Sequence, residues 1–167
     1  MNYPKTRLRR LRYNRNIRNM FEDVTVNKSD LIQPIFLVEG KNIKKEIKSL
    51  TGQFQLSIDN AIDFCKILMN EGVNSIILFG VSSKKDDTGE ISCSSQSIVP
   101  KAIKEIKNKF GDQLLVIADV CNCSYTNHGH CGTIVENDVH NDLTLETLSK
   151  QSLTLAKAGA DVLAPSD

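Results

Sequence analysis

The chain has 167 residues, 40% hydrophobic and 25% charged, with a formal net charge of +1, which fits one ordinary soluble domain and excludes a disordered or fibrous chain. Its longest apolar runs, Ile76 to Phe79 and Leu114 to Ala118, are strand-sized and fall far short of the ~20 residues of a membrane helix. The Arg-rich N-terminus has no serine before Ser29 and no apolar stretch behind it. No secretion signal is read there, so a cytoplasmic location without a membrane partner is expected.

Residues 1 to 20 carry seven basic side chains, from Lys5 through Arg18, and no acid, leaving the remainder with 14 basic against 20 acidic groups. Segment 1–29 is therefore read as a basic arm and 30–167 as the folded body. Such an arm suits nucleic acid or the acidic body of a neighbouring subunit. The aromatic residues that would stack on single-stranded bases are sparse, with only Tyr3, Tyr13 and Phe21 nearby, and this favours docking over nucleic acid.

Leu31 to Val38 is apolar and ends at Glu39-Gly40, which reads as a buried strand, with Pro34 as a mild objection. A polar connection follows through Lys41 to Gln55. Ser57-Ile58-Asp59 then starts an amphipathic helix whose apolar face is Ala61, Ile62, Cys65, Leu68 and Met69, closed by Gly72. Ser75 to Phe79 predicts a second strand, Pro100 to Phe110 a helix closed by Gly111, and Leu114 to Val120 a third strand. The last helix is expected to begin at Asp142 as N-cap, to turn Leu145, Leu148, Leu155 and Ala156 inward, and to end at Gly159 ahead of strand Asp161 to Ala164.

Strands starting near 31, 75, 114 and 161 give a βα unit about every forty residues, so the class is α/β with a parallel sheet covered by helices. The long polar loops follow the C-terminal ends of strands, as in a (β/α)₈ TIM barrel, and no Gly-rich turn follows the first strand as in a doubly wound sheet. Four strands and three helices make the first half of such a barrel, which normally needs ~250 residues. The expectation is a truncated chain, or one that assembles with a missing half.

Five cysteines are present, and Cys121, Cys123 and Cys131 fall within eleven residues. The crowding reads as metal ligation and not as a disulfide framework. Cys65 reads as a small buried hydrophobe on its helix, and Cys93 receives no role. Cys-x-Cys with a third Cys eight residues on lets one loop wrap a zinc ion with three sulfurs. A three-thiolate site keeps a fourth position for water or substrate and so points to chemistry, whereas a closed structural Cys₃His site would add His128 or His130. Both remain open on spacing alone. Asp119, at the end of the third strand, could hold an amine, accept a proton or merely cap the loop. Ser166, after the fourth strand, carries the same ambiguity.

The stretch Asp119-Val-Cys-Asn-Cys-Ser-Tyr-Thr-Asn-His-Gly-His-Cys-Gly132 resembles the zinc loop of the porphobilinogen synthases, also called 5-aminolevulinate dehydratases. Further matches are Arg7-Leu-Arg-Arg-Leu-Arg12, Asp30 through Gly40, Leu78-Phe-Gly-Val81, Asn141-Asp142, and Ala158-Gly-Ala-Asp-Val-Leu-Ala-Pro-Ser-Asp167. The resemblance implies condensation of two 5-aminolevulinate molecules into porphobilinogen, with loss of two waters, through Schiff bases on two lysines. It implies zinc at Cys121, Cys123 and Cys131, with Asp119 and Ser166 lining the pocket, and allows Mg²⁺ at a site outside this chain. It also implies a homo-octamer embraced by the N-terminal arms.

Both family lysines lie beyond Asp167, and neither Lys101 nor Lys157 matches one of them. The chain departs from the family pattern at Thr51-Gly52, Gln55 and Ser94 to Gln96. Three expectations follow. The first is a synthase whose N-terminal half this is, the second a zinc-binding half-barrel without catalysis, and the third, ranked last, a nucleic-acid binder.

Overall fold

The computed structural model describes residues 2, 4–6 and 8–166; Tyr3 and Arg7 of the arm and Asp167 of the last motif lie outside the described residues. The arm holds a short α-helix, α1 (Arg15–Met20), capped by the Asn14 side chain, which accepts from the Ile17 amide at 2.9 Å. No residue of α1 is buried, and Tyr13, Met20, Val24 and Val26 are each more than three-quarters exposed. These side chains find no cover on the body.

The body alternates strand and helix: β1 (Gln33–Val38), β2 (Lys44–Glu46), β3 (Phe54–Leu56), α2 (Ile58–Asn70), β4 (Ser75–Val81), α3 (Ile98–Phe110), β5 (Leu115–Val120), β6 (Ile134–Val135), β7 (Asp138–Val139), α4 (Asn141–Ala158) and β8 (Val162–Pro165). The six-stranded sheet runs β2-β3-β1-β4-β5-β8, and every pair except β2 with β3 is parallel. The long strands β1, β4, β5 and β8 follow one another across the sheet in chain order, and the β2–β3 hairpin, inserted between β1 and α2, is added on the other side of β1. Right-handed crossovers then put α2, α3 and α4 on one face of the sheet. This is the winding of a barrel, because a doubly wound sheet reverses its strand order and covers both faces.

The helix-covered face is the core. Ile35, Leu37, Ile76, Leu78, Val116, Ala118 and Val120 alternate along their strands toward Ala61, Cys65, Leu68, Ala102, Ile103, Ile106, Leu155 and Ala158, all buried. Cys65 is fully buried, as expected, and burial pushes its thiol up to about 12. The opposite face carries Phe36 stacked on Phe79 with ring centroids 5.3 Å apart, together with Ile77, Ile117 and Asp119. No helix among the described residues covers that side.

Several details differ from the sequence reading. The polar connection after β1 contains a hairpin, β2 and β3, hidden in the sequence because its segments are three residues long and one is wholly charged. Lys44 of β2 places its ammonium 4.5 Å from the Phe54 ring centroid, and the charged strand shields a sheet edge. Pro34 is the second residue of β1, ahead of the point where β3 begins to pair at Phe36, where a missing N–H is tolerated.

The N-cap of α4 is His140, whose Nδ1 accepts from the Leu143 amide at 3.4 Å, and not Asp142. Its inner face is also corrected. Leu145 and Ala156 are exposed, while Thr144, Thr147, Gln151, Leu155 and Ala158 are buried. The helix turns polar groups inward because it meets loops over its first half and the sheet only over its second.

Candidate metal centre and pocket

Strand β5 ends at Val120, and the chain turns at once into the cysteine loop. Asn122 closes the turn by accepting the amides of Tyr125 and Thr126 at 2.9 and 3.1 Å. This folds Cys123 back over Cys121, with sulfurs 3.0 Å apart, and Cys131 returns to bring its sulfur 3.6 Å from that of Cys121. All three sulfurs lie within 4.8 Å of one another, and among the described residues this is the group able to hold a metal ion. Zinc–sulfur bonds of about 2.3 Å at tetrahedral angles set sulfurs about 3.7 Å apart; the donors fit zinc in chemistry, the Cys121–Cys131 spacing of 3.6 Å matches, and the Cys121–Cys123 pair at 3.0 Å would have to spread. Cys121 is buried, Cys123 half-buried and Cys131 exposed, so the centre opens to solvent on the Cys131 side.

His130 is placed next to Cys131 but contributes its backbone: its carbonyl accepts the Thr126 hydroxyl at 3.0 Å. Its exposed ring stacks on His128, centroids 5.6 Å apart. His128 in turn accepts the His130 amide at Nδ1, 3.1 Å away, with Nε2 3.2 Å from the Asp87 carbonyl. The geometry gathers three sulfurs and no imidazole, which favours the open three-thiolate set over a closed Cys₃His set.

Asp119 and Ser166 come together although 47 positions separate them. Pairing of β5 with β8 sets Asp119 opposite Ala164, and the Ser166 hydroxyl donates to Asp119 Oδ1 at 2.7 Å. This pair lies on the face that no helix covers, at the C-terminal end of the sheet, two residues from Cys121. Barrel enzymes build their sites at that end.

Several residues that hold this site escaped the sequence reading. Tyr125 is buried over Gly80 of β4, where a Cβ would strike its hydroxyl and come 2.9 Å from Val99 Cγ2. Burial first, and then the negative charge of Asp119, Cys121 and Cys123, push the Tyr125 phenol well above its ordinary value, so it stays protonated. Gln151 of α4 donates from Nε2 to the Cys121 carbonyl at 3.2 Å. Thr144 of α4 accepts the Thr133 amide at 3.0 Å and donates to the His140 carbonyl at 2.8 Å. Gly132, unlike these, is legible in the sequence as a glycine flanking His130-Cys131 that frees the backbone of a tight loop: its φ is +116°, and a Cβ there would lie 2.5 Å from Thr144 Oγ1, so only glycine allows Cys131 to turn back against α4.

Asp86, in the loop after β4, accepts amides from Thr88, Gly89, Glu90 and Ile91. Burial opposes its ionisation, but those amides and the Thr88 hydroxyl outweigh it and hold the carboxyl below its usual range. The one sequence signal for this cap was Asp86 three residues ahead of Gly89, a common turn pattern. Cys93, given no role, is half-buried and donates to the Thr147 carbonyl at 3.4 Å. An apolar cavity of about 210 Å³ between α2 and β3, lined by Pro34, Phe54, Phe64 and Ile67, shares no residue with the thiol site.

A family model described as delta-aminolevulinic acid dehydratase matches residues 5–167. The chain is 45% identical over 167 residues to the enzyme of that name from Methanothermus sociabilis, covering 100% of this chain and 52% of the relative. It is also 45% identical over 162 residues to that of Helicobacter pylori, covering 96% and 50%. The Ruminiclostridium josui protein of the same name is 42% identical over 161 residues, and 78% of its length is covered. The crystal structure of delta-aminolevulinic acid dehydratase (porphobilinogen synthase) from Toxoplasma gondii, in complex with the reaction product porphobilinogen, superposes with a TM-score of 0.91 at 34% identity. That match covers 97% of this chain and 47% of the other. The chain thus spans about half the length of most of these relatives, and its parallel sheet is half of a TIM barrel. No helix among the described residues is long and apolar enough to cross a membrane.

Proposed function

The chain belongs to the delta-aminolevulinic acid dehydratase family, and on that premise we propose that it supplies the zinc site and one wall of the substrate pocket of a porphobilinogen synthase. The reaction is condensation of two 5-aminolevulinate molecules into porphobilinogen with loss of two waters. The observation that carries the reading is the convergence of three sulfurs within 4.8 Å beside the Asp119–Ser166 hydrogen bond. Zinc held by Cys121, Cys123 and Cys131 would supply Lewis acidity toward a substrate oxygen or amine at the fourth position.

The chain's own groups have definite tasks. Ser166, by donating to Oδ1, fixes the Asp119 carboxylate so that it faces the uncovered side of the sheet, where it holds a substrate amine and takes up its proton. Tyr125 fills the space between Gly80 and the thiols, keeping water from the buried side of Cys121. We read the two Schiff-base lysines as lying outside these 167 residues because no lysine here matches the family pair; Lys101 and Lys157 sit exposed on α3 and α4. The exposed, basic and partly apolar arm is read as docking on a neighbouring copy in a cytoplasmic homo-oligomer, the octamer of the family. A zinc-binding half-barrel without turnover is the second reading, one that the three converging thiols alone would satisfy.

Metal analysis after dialysis tests the ligand set. One zinc per chain is expected, lost in Cys121→Ser, whereas tight stoichiometric zinc in the triple Cys→Ser variant would overturn the assignment. Joined to the second half of the Helicobacter pylori relative, the chain is expected to form porphobilinogen from 5-aminolevulinate. Product from the chain alone would overturn the placement of the lysines, and zinc binding without product in either setting would leave the inactive half-barrel.

A further inference from the structure

The third sulfur reaches the first two only after seven intervening residues, 124 to 130, have been folded back. Left mobile, they would have to be ordered each time a metal binds, at a cost in conformational entropy. Thr126 lies in the middle of that span and is fully buried. Its hydroxyl donates to the His130 carbonyl at 3.0 Å and lies 3.5 Å from the Cys123 carbonyl. One side chain therefore ties the residue before Cys131 to Cys123 itself.

Its backbone is held just as firmly from outside the loop. Asp86 forms a parallel bridge with Thr126: its amide donates to the Tyr125 carbonyl at 3.0 Å, and its carbonyl accepts the Asn127 amide at 2.9 Å. Asp87 accepts the Asn127 side-chain amide at 2.9 Å. The Asp86 carboxylate meanwhile gathers the four amides from Thr88 to Ile91 and the Thr88 hydroxyl, which makes the β4–α3 loop a rigid abutment and not a free strap.

We propose that Thr126, braced by Asp86, is the positioning residue of the thiol centre, setting the Cys123–Cys131 span in its ligating shape before metal arrives. This rests on the reading of Cys121, Cys123 and Cys131 as metal ligands. Thr126→Val keeps the shape and burial of the side chain but removes the donor that ties the His130 carbonyl to the loop. Thr126→Ser keeps the donor. Asp86→Asn removes a carboxylate acceptor from the abutment and touches no cysteine.

The test uses the 167-residue chain, metal-free, with zinc affinity measured by competition against a chromophoric chelator. The thiolate-to-cobalt charge-transfer band and exchange of the Asn127 amide before metal is added provide separate readouts. Thr126→Val is expected to bind zinc about tenfold or more weakly, the range of changes around a ligand shell, and Thr126→Ser to restore it. Asp86→Asn is expected to speed Asn127 exchange in the metal-free chain and to weaken zinc in parallel. Zinc affinity and cobalt spectrum unchanged in Thr126→Val, with the wild type binding normally, would overturn the positioning role alone. A wild type that shows no thiolate charge-transfer band would instead overturn the ligand reading, and the positioning role with it.

Discussion

Helices α3 and α4 occupy successive places on the same face of the sheet, yet they bury opposite kinds of side chain. α3 buries Ile98, Val99, Pro100, Ala102, Ile103 and Ile106, whereas α4 buries Thr144, Thr147 and Gln151 before it reaches Leu155 and Ala158. The difference follows from what each helix faces. α3 lies on β1, β4 and β5, whose side chains are hydrocarbon, so burial of area is its contribution. The first half of α4 lies against the cysteine loop, whose carbonyls and amides need partners. Thr144 answers the Thr133 amide and Gln151 the Cys121 carbonyl. One helix builds the scaffold, and the other gives up apolar burial to hold the site.

The largest effect separating them is expected from Ile103→Ala. Ile103 is fully buried in α3, so its truncation should lower stability by about 2–5 kcal/mol, read from the denaturant midpoint. Zinc affinity of the folded fraction should not change, and a loss of affinity as large as the loss of stability would blur the division between the two helices.

Gln151→Leu should behave in the opposite way. It removes the Gln151 donor from the Cys121 carbonyl, at about 1–3 kcal/mol, but it also removes the buried Gln151 Oε1, which has no partner among the described residues. The net change in the unfolding midpoint should therefore be smaller than for Ile103→Ala, while zinc affinity falls. Unchanged affinity would show that α4 packs without positioning.

The smallest effect is ionic and belongs to the scaffold side. Asp161, just ahead of β8, accepts the Val116 amide at 2.8 Å and Lys107 of α3 at 2.9 Å. Burial opposes its ionisation, but the amide and the ammonium outweigh it and lower its pKa. A carboxyl depressed in the folded state contributes stability above its unfolded value of about 3.9 and loses it as pH falls through the lower folded value. Asp161→Asn should thus be less stable than wild type at pH 7, and the gap should close in acid. Denaturant titrations at pH 7 and in strong acid would show it, and a gap that widens in acid would reverse the sign.

Much of the scaffold was legible because burial imposes a period. Three- and four-residue spacing marked Ala61 through Met69, and apolar runs marked β1, β4 and β5, because a sheet side chain either faces the helices or does not. The same rule misplaced the inner face of α4. Leu145 looked buried because it is leucine, and Thr144 and Gln151 gave no signal of burial because they are polar. The hairpin of β2 and β3 was hidden for a related reason, since three residues at a charged edge carry no periodic signal.

By itself the sequence determined the βα order, the place of the cysteine loop after the third long strand and the three thiols as the natural metal donors, because period, spacing and ligand chemistry are local properties. It also carried the family, through the fourteen residues from Asp119 to Gly132. Only the tertiary structure decided that Ser166 meets Asp119, that His130 offers its carbonyl while its ring stays outside, and that Thr126, Asp86, Gly80 and Gln151 hold the loop. Those contacts join segments up to 47 positions apart. They exist because strand pairing and helix packing fix distances that no local pattern encodes.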